Sequence, residues 1–352
     1  MLTSSVFAAD LVNRAEPDWW LTPRRMIQTN LREIDAGMDV EAYVASLKAA
    51  GANVVLFNVG GIVANYPTDL PYHYRNPFLK GDLTGEVVKR LHAEGIRVIA
   101  RFDLSKVNER ITREHPEWLT RDAAGDSIPA YNGQVATCLN GWYQQEGMLK
   151  ILGEVIDRYP IEGVFFNMIG YPRSDYSGRA IGICQCENCR QRFHKMFGLE
   201  LPKNEQATTP ATEKYKEFTR RTVSEQFEKV NAFVKGKDPT LAISTYTESG
   251  VDLVRKESNS ALDNWVYEES FRTRLARLKY PDKQLANAAV SFPHYPHRHA
   301  SVSPDLTRKR LFGCMVNGGW LDFYCIGRFN WQEDRIGLDP VEDVFRFHAA
   351  ND

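Results

Sequence analysis

Short apolar runs without a helical repeat recur along the chain, and glycine, proline or polar residues bound each of them. The run at 163–168 (GVFFNM) is typical, since it is followed by a Gly-Tyr-Pro turn. Runs of this kind are characteristic of parallel strands that are buried on both faces. The pattern predicts eight strands, at residues 26–31, 53–59, 97–102, 163–168, 241–246, 251–256, 285–292 and 320–326.

Amphipathic segments with apolar residues at helical spacing separate these runs. Segment 39–51 (DVEAYVASLKAAG) shows the expected ends, because Asp39 is suited to cap a helix and Gly51 to terminate it. Thr84 is a candidate cap for the next helix. Strand and helix thus alternate through eight units. This alternation favours an α/β fold, a closed (β/α)8 TIM barrel with long strand-to-helix loops, over an open doubly wound sheet.

The domain organisation follows from what separates these units. The chain has no linker long or polar enough to divide it, so we predict one domain over residues 1–352. Because the sequence ends near the close of the predicted eighth helix, we expect a longer protein in which a C-terminal domain follows. No glycine-rich dinucleotide fingerprint or P-loop follows any predicted strand, and we therefore expect no organic cofactor.

Composition and charge narrow the class of partner. The 352 residues carry a net charge of -1, with 43% hydrophobic and 25% charged residues, as in ordinary soluble globular proteins. Basic and acidic residues are interspersed, so neither nucleic acid nor an anionic membrane is an expected partner. No apolar run approaches the roughly 18 residues of a membrane span. The N-terminal segment MLTSSVFAAD lacks a basic n-region, and we expect a cytoplasmic location.

Polar residues mark the ends of most predicted strands, where (β/α)8 barrels place their chemistry. Those strand ends supply Asn58, Asp103, Asn167, Glu248, Glu257, His294 and Asp322. Amides and carboxylates bind sugar hydroxyls, and two carboxylates flanking a glycosidic bond can divide the acid and the nucleophile or base duties. Aromatic residues suited to stack on a sugar ring lie nearby, at Tyr66, Tyr72, Tyr171, Trp320 and Trp331. The alternative is that these acids cap helices or pair with arginine.

Three cysteines, Cys184, Cys186 and Cys189, follow the fourth predicted strand in C-x-C-x-x-C spacing. Thiolates at this spacing can surround one soft ion, but a tetrahedral zinc site needs a fourth ligand. Cys138 is the best candidate, because it ends the long loop after the third strand, next to the fourth. Four thiolates leave no open position for water, so we expect a structural zinc. The alternatives are a reduced thiol cluster or an ancestral site that no longer binds metal.

A second group of potential metal ligands follows the seventh predicted strand, at His294, His297 and His299. Its spacing is loose and interrupted by Pro296, so we favour substrate contact or loop packing. If His294 and His297 did hold an ion together with a carboxylate, the protein would be a metal-dependent hydrolase of another bond.

Five segments carry a resemblance to a known family: GVFFNMIGY, GICQCENCRQRF, ATCLNGWYQ, VRKESNSA and GGWLDFYCIG. Through them essentially the whole chain resembles the family called hypothetical glycosyl hydrolase 6, which is distantly similar to the family 42 β-galactosidases. The resemblance implies a (β/α)8 barrel acting on carbohydrate. It also implies a zinc bound by Cys184, Cys186, Cys189 and Cys138. Because such enzymes often carry a C-terminal trimerisation domain, we expect a homo-oligomer, either a trimer or a dimer.

The chain departs from family 42 enzymes at the catalytic positions. Those enzymes place an Asn-Glu pair at strand four and a nucleophilic Glu at strand seven. Here Asn167 is followed by Met168, and the seventh strand ends in Phe292-Pro293-His294. The resemblance therefore supports the fold, the zinc and sugar chemistry, whereas any catalytic carboxylates must come from other strands.

We therefore predict a glycosidase, β-galactosidase-like by distant resemblance, that cleaves O-glycosidic bonds of an oligosaccharide or glycoside at the mouth of the barrel. Glu257 is the predicted general acid and Asp322 the nucleophile or base, with Asp103 and Glu248 in reserve. The predicted substrate-binding residues are Asn58, Asn167, Tyr171, His294 and Trp331. Because the family 42 pair is missing, a non-catalytic carbohydrate-binding barrel is the first alternative. The metal-dependent hydrolase is the second.

Overall fold

Eight parallel strands close into a barrel, which confirms the predicted (β/α)8 TIM-barrel fold. The computed structural model describes residues 16–22, 24–131, 133–167, 169–175, 178–206, 208–246, 250–258, 267–294 and 297–351. The strands, in chain order, are β1 (Arg25–Asn30), β2 (Val54–Gly60), β3 (Arg97–Phe102), β4 (Lys106–Asn108), β5 (Pro129–Tyr131), β6 (Gln134–Ala136), β7 (Gly163–Phe166), β8 (Ala242–Thr245), β9 (Leu253–Ser258), β10 (Gln284–Val290) and β11 (Trp320–Ile326). Around the barrel they follow the order β1-β2-β3-β7-β8-β9-β10-β11.

Helices surround the barrel and bury their apolar faces against its outer surface. The described α-helices are α1 (Val40–Ala49), α2 (Leu83–Ala93), α3 (Glu109–Thr112), α4 (Met148–Arg158), α5 (Glu187–Phe197), α6 (Pro210–Lys237), α7 (Glu268–Lys279), α8 (Pro304–Met315) and α9 (Asp339–Ala350). None of these described helices has the length and apolarity needed to cross a bilayer.

Of the two predicted helix caps, the structure confirms one and corrects the other. Asp39 caps α1 as predicted, through a 3.0 Å hydrogen bond to a backbone N–H of the first turn. The cap of α2 is Asp82 and not Thr84, because the Asp82 carboxylate accepts from Gly85 N at 3.0 Å. The Thr84 hydroxyl instead donates to the carbonyl of Asn65 at 2.9 Å, so it ties α2 to the preceding loop.

The N-terminal end of the barrel is closed by tryptophan. Trp19 and Trp20 are buried, and the Trp19 ring lies 5.7 Å from that of Trp320. Trp19 also donates through its ring N–H to the carbonyl of Glu162. Trp320 is the first residue of β11, so it lies at the end opposite the C-terminal mouth. The prediction that Trp320 frames a sugar site is therefore wrong.

Two connections differ from the predicted alternation of strand and helix. The long loop after β3 contains a three-stranded antiparallel sheet formed by β4, β6 and β5. Between β8 and β9 the described residues form no helix. Since Ser244 pairs with Leu253, β9 begins near the C-terminal end of β8, and a short return is enough to join them.

The long helix α6 holds this short connection in place. Asn231 donates to the carbonyl of Gly250 at 2.9 Å, and Lys235 forms a 2.7 Å salt bridge with Asp252. Gly250 has φ +67°, and a Cβ on it would lie 2.0 Å from the side-chain nitrogen of Asn231. The left-handed backbone conformation therefore favours glycine at this position, and a larger residue would also displace the Asn231 side chain.

Candidate active site

A polar cleft of about 640 Å³ opens at the C-terminal ends of β1, β2, β3 and β11. Part of its wall comes from the small sheet and from the loop after β10. Six amide side chains line it: Asn30, Asn58, Asn65, Asn76, Asn108 and Gln134. Its charged lining consists of Arg32, Glu33, Arg101, Asp103, Glu109 and Arg298, together with His299. Such a surface is suited to a neutral ligand with many hydroxyl groups.

Asp103 is the predicted carboxylate that lines the cleft. It follows β3 directly, and its side chain is 14% exposed. Arg101 contacts it at 2.9 Å, and Asn167 donates to its second oxygen at 2.6 Å. Burial alone would raise the pKa of Asp103, but the charges of Arg101 and Lys106 and the Asn167 hydrogen bond outweigh burial and leave the pKa below its ordinary value. Asp103 is therefore ionised at neutral pH.

The backbone of Asp103 rests directly on a glycine. Gly61 has φ +107°, and a Cβ there would lie 2.2 Å from the Asp103 carbonyl oxygen. The Gly61 N–H donates to Nε2 of His73, which is buried, and burial lowers the pKa of His73 to about 4. The imidazole is thus neutral and able to accept this hydrogen bond.

A second charged group lies inside the barrel at Arg255, Glu257 and Asp322. Arg255 is fully buried and binds both oxygens of Asp322, at 2.7 and 3.2 Å. It also contacts Glu257 at 2.9 Å, and the same Glu257 oxygen accepts from the Tyr246 hydroxyl. Burial disfavours the charge on Arg255, but Asp322, Tyr246 and Glu257 outweigh burial and raise its pKa above the ordinary value. The guanidinium therefore stays charged in contact with Asp322 and Glu257.

Strand register explains why these residues meet. Glu257 and Asp322 both pair with Ala288 of the intervening strand, so they lie at one level of the barrel. Leu253 belongs to the cluster that fills the lower barrel interior. Because side chains alternate along a strand, Arg255 and Glu257 point into the interior as well.

The predicted nucleophile Asp322 needs correction. Its side chain is 0% exposed, and both carboxylate oxygens are engaged by Arg255. A carboxylate in this setting has no free approach to a sugar carbon. We therefore regard Asp322 as a residue that positions Arg255. Glu257 has a 13% exposed side chain, and Glu248 lies outside the described residues.

The structure places the predicted substrate-binding residues in different surroundings. Asn58 lines the cleft, and Asn167 holds Asp103. Trp331 is 49% exposed. Its ring centroid lies 5.2 Å from the guanidinium carbon of Arg32, which lines the cleft. His294 is exposed and is not among the residues that line the cleft.

Three of the predicted stacking aromatics are packed elsewhere. The hydroxyl of Tyr171 accepts from Asn140 at 2.8 Å, so Tyr171 belongs to the surroundings of the cysteines and its assignment to substrate binding is wrong. Tyr66 is buried with its hydroxyl bound to Glu154, and Tyr72 donates to a backbone carbonyl of the turn before α4. Among the residues that the structure describes, the polar lining of the cleft consists of amides and charges, and no aromatic face takes part.

Sequence reasoning missed Arg101, Arg255 and Glu33. Each arginine lies within a predicted strand. A charge in a strand that is buried on both faces needs a partner inside the barrel, and this was the available indication for both. Glu33 follows β1 in a short 3₁₀ turn and lies 3.4 Å from the side-chain amide of Asn108. The polar residues immediately after the first predicted strand were the available indication.

The four predicted metal ligands do come together. Their ligand atoms all lie within 4.8 Å of one another, and Cys138, Cys184, Cys186 and Cys189 are all buried. The Cys138 sulfur lies 3.3 Å from that of Cys186 and 3.4 Å from that of Cys189. Four buried sulfurs at these distances fit a tetrahedral soft ion, so the group could hold a metal.

Among the residues that the structure describes, these cysteines are the group of His, Cys, Asp and Glu side chains close enough to share one ion. The histidines at 294, 297 and 299 form no comparable group there. His299 instead lies 3.2 Å from Glu333. This arrangement gives the predicted alternative of a histidine-bound catalytic metal no support.

The fold and the cleft together define a (β/α)8 barrel of the kind that carries its chemistry at the C-terminal mouth. Residues 39–168 match the family model described as hypothetical glycosyl hydrolase 6, which confirms the resemblance found in the sequence. No curated protein matches the chain in sequence.

Solved structures of glycosidases share the fold. α-L-fucosidase isoenzyme 2 from Paenibacillus thiaminolyticus is 16% identical with a TM-score of 0.72, over 94% of this chain and 50% of that one. The β-galactosidase from Bacillus circulans sp. alkalophilus is 13% identical with a TM-score of 0.66, over 92% and 56%. The PgaB (BpsB) glycoside hydrolase domain from Bordetella bronchiseptica is 10% identical with a TM-score of 0.66, over 92% and 98%. The chain thus spans about half of the first two proteins.

Proposed function

We propose that the protein is a glycoside hydrolase that cleaves O-glycosidic bonds of an oligosaccharide or glycoside bound in the cleft. The observation that carries the proposal is the ionised Asp103, which lines an amide-rich cleft at the mouth of the barrel. The match to a glycosyl hydrolase family model supports it. The sugar, the linkage and a β-galactosidase-like specificity are left to experiment.

Asp103 is our candidate for the nucleophile or base. Arg101 and Asn167 fix both of its oxygens, so its orientation is set before substrate binds. An ionised carboxylate is what either a direct attack on the anomeric carbon or the activation of a water requires.

Glu257 is our candidate for the proton donor, as the sequence predicted. It interacts electrostatically with Arg101, which contacts Asp103, and one of its oxygens is engaged by Arg255 and Tyr246, but it is not among the residues that line the cleft. Glu33 is the competing candidate, because it lines the cleft together with Asp103.

Substrates with different leaving groups distinguish these two acids. A panel of 4-nitrophenyl glycosides first identifies the sugar, and turnover of at least one member is expected. Replacing the proton donor by glutamine should lower the rate of hydrolysis of these substrates by about a hundredfold or more. The rate for 2,4-dinitrophenyl glycosides should fall far less, since that leaving group needs no protonation. We expect this selective loss in Glu257→Gln and not in Glu33→Gln.

The reverse pattern would transfer the role to Glu33. Failure to cleave any glycoside in the panel, with sugar binding detected by calorimetry, would instead favour the non-catalytic carbohydrate-binding barrel. Chelation that abolishes turnover without unfolding the protein would favour a catalytic metal.

We propose that the four cysteines hold a structural zinc. The purified protein is expected to contain about one zinc per chain, because four thiolates complete the tetrahedral shell. Cys186→Ser should lower that stoichiometry and the melting temperature. Cys325→Ser is the matched control: this thiol is also fully buried but lies outside the cluster, so the zinc content should stay unchanged. A metal-free wild-type protein of full stability would contradict the proposal.

The expected homo-oligomer, trimer or dimer, and the expected cytoplasmic location stay predictions. So do the single domain over residues 1–352 and the C-terminal domain of a longer protein.

A further inference from the structure

Exposed large apolar side chains concentrate on one outer face of the barrel, formed by α7 and the end of α8. On α7, Phe271, Leu275 and Leu278 are 55%, 53% and 75% exposed. Their spacing of four and then three residues places them in one stripe along the helix. Val316, which caps α8, is 71% exposed. An exposed group of apolar side chains of this kind marks an interaction site in a soluble protein.

A groove of about 460 Å³ lies between α7 and α8. It is lined by Tyr267, Ser270, Asp305, Arg308, Lys309, Phe312, Gly313 and Val316. A Cβ on Gly313 would lie 3.1 Å from the backbone nitrogen of Ser270, so the two helices approach closely there. The surface between the two helices is thus concave, which suits an inserted side chain better than a flat bilayer.

The charges that border the stripe are basic. Arg272 and Lys279 flank the stripe on one side and Arg274 flanks it on the other, all of them exposed. In heptad terms the apolar residues occupy d, a and d, and these three cations occupy the flanking e and g positions. Arg272 is paired with Glu268 of its own helix, whereas Arg274 makes no ion pair with any residue that the structure describes.

This pattern selects the partner by charge. Two copies of α7 packed along their stripes would bring basic e and g residues together in either direction, which is unfavourable. A helix with acidic residues beside its apolar stripe would gain favourable pairs with the same side chains. We propose that this face, defined as the α7 docking face by Phe271, Leu275, Leu278 and Val316, binds an acidic amphipathic helix of a partner protein.

Binding of a designed peptide to the full chain tests the proposal. The probe is a labelled helical peptide of about three heptads with leucine at a and d and glutamate at e and g. A second peptide carries lysine at e and g. Fluorescence anisotropy should show the acidic peptide binding at least about tenfold more tightly than the basic one, with an affinity that falls as salt rises.

Variants locate the contact. Leu275→Glu with Leu278→Glu should abolish binding of the acidic peptide, since it removes the apolar anchors and adds repulsion. Leu21→Glu is the matched control, because Leu21 is 54% exposed on a different part of the surface. Leu21→Glu should leave the affinity for the acidic peptide unchanged. The double variant should change the melting temperature no more than Leu21→Glu does.

Three results would overturn the proposal. The first is equal affinity for both peptides, or no binding of the acidic one. The second is self-association in light scattering that Leu278→Glu abolishes, which would assign the face to a second copy. The third is sedimentation with phosphatidylserine vesicles in the absence of peptide binding, which would assign it to an anionic lipid surface.

Discussion

Replacing Asp103 with asparagine is expected to lower kcat/KM by roughly a thousandfold on any glycoside that the wild-type protein cleaves. Asparagine keeps the size of the side chain but cannot attack carbon or accept the proton of a water. The pKa of Asp103 lies below its ordinary value, so the wild-type carboxylate should stay ionised, and active, well into the acidic range. Steady-state kinetics with the substrate found in the panel measure the effect.

Asp122→Asn is the matched control for this substitution. Asp122 lies in a turn of the same loop, where its side chain accepts two backbone hydrogen bonds that asparagine can also accept. This variant should keep wild-type activity and stability. An Asp103→Asn protein that is folded and still within a few-fold of wild-type activity would remove Asp103 from the chemistry. It would leave the barrel and its cleft unaffected.

Removing the carboxylate of Asp322 is expected to destabilise the protein by about 3–5 kcal/mol, because Arg255 would keep its charge in a fully buried position without its bidentate partner. Asp322→Ala should therefore shift the urea denaturation midpoint strongly downward. Glu257 alone cannot compensate, since it contacts a different nitrogen of the guanidinium.

The double variant Asp322→Leu with Arg255→Met tests the cause of that loss. Removing both charges together should recover most of the stability lost in Asp322→Ala, since neither partner is then left unpaired. If the single variant were as stable as wild type, the two groups would not be the buried ion pair that the structure describes. If the double variant were worse than the single one, packing and not charge would dominate.

The barrel was predictable because the burial of its strands determines their sequence pattern. Strands such as β3 and β11 are buried on both faces, so most of their residues are apolar, and the predicted bounds coincide with the observed ones. The small sheet after β3 was missed for the opposite reason. Its strands have three residues each and pair mainly with one another, which leaves no periodic pattern to read.

The cysteine cluster was predictable and most of the sugar-stacking aromatics were not. The spacing of Cys184, Cys186 and Cys189 restricts where their side chains can point, so a common centre follows from the sequence. Tyr171 lies in a long loop whose path depends on tertiary packing. Its hydroxyl accepts a hydrogen bond from Asn140 beside the cysteine cluster. Asp322 was predicted at a strand end facing the mouth, but it is the third residue of β11 and is fully buried against Arg255, whose inward direction only the register reveals.

The contact between Gly61 and Asp103 separates what can vary in this protein from what cannot. The main chain of Asp103, our proposed reacting residue, lies in direct contact with the main chain of Gly61, whereas the side chains of Arg101 and Asn167 orient its carboxylate. In the proposed enzyme, residues on the surrounding walls, including those of the small sheet, can be replaced to accept a different sugar without disturbing this main-chain contact. Redesign of specificity should begin at Gln134 and leave the glycine untouched.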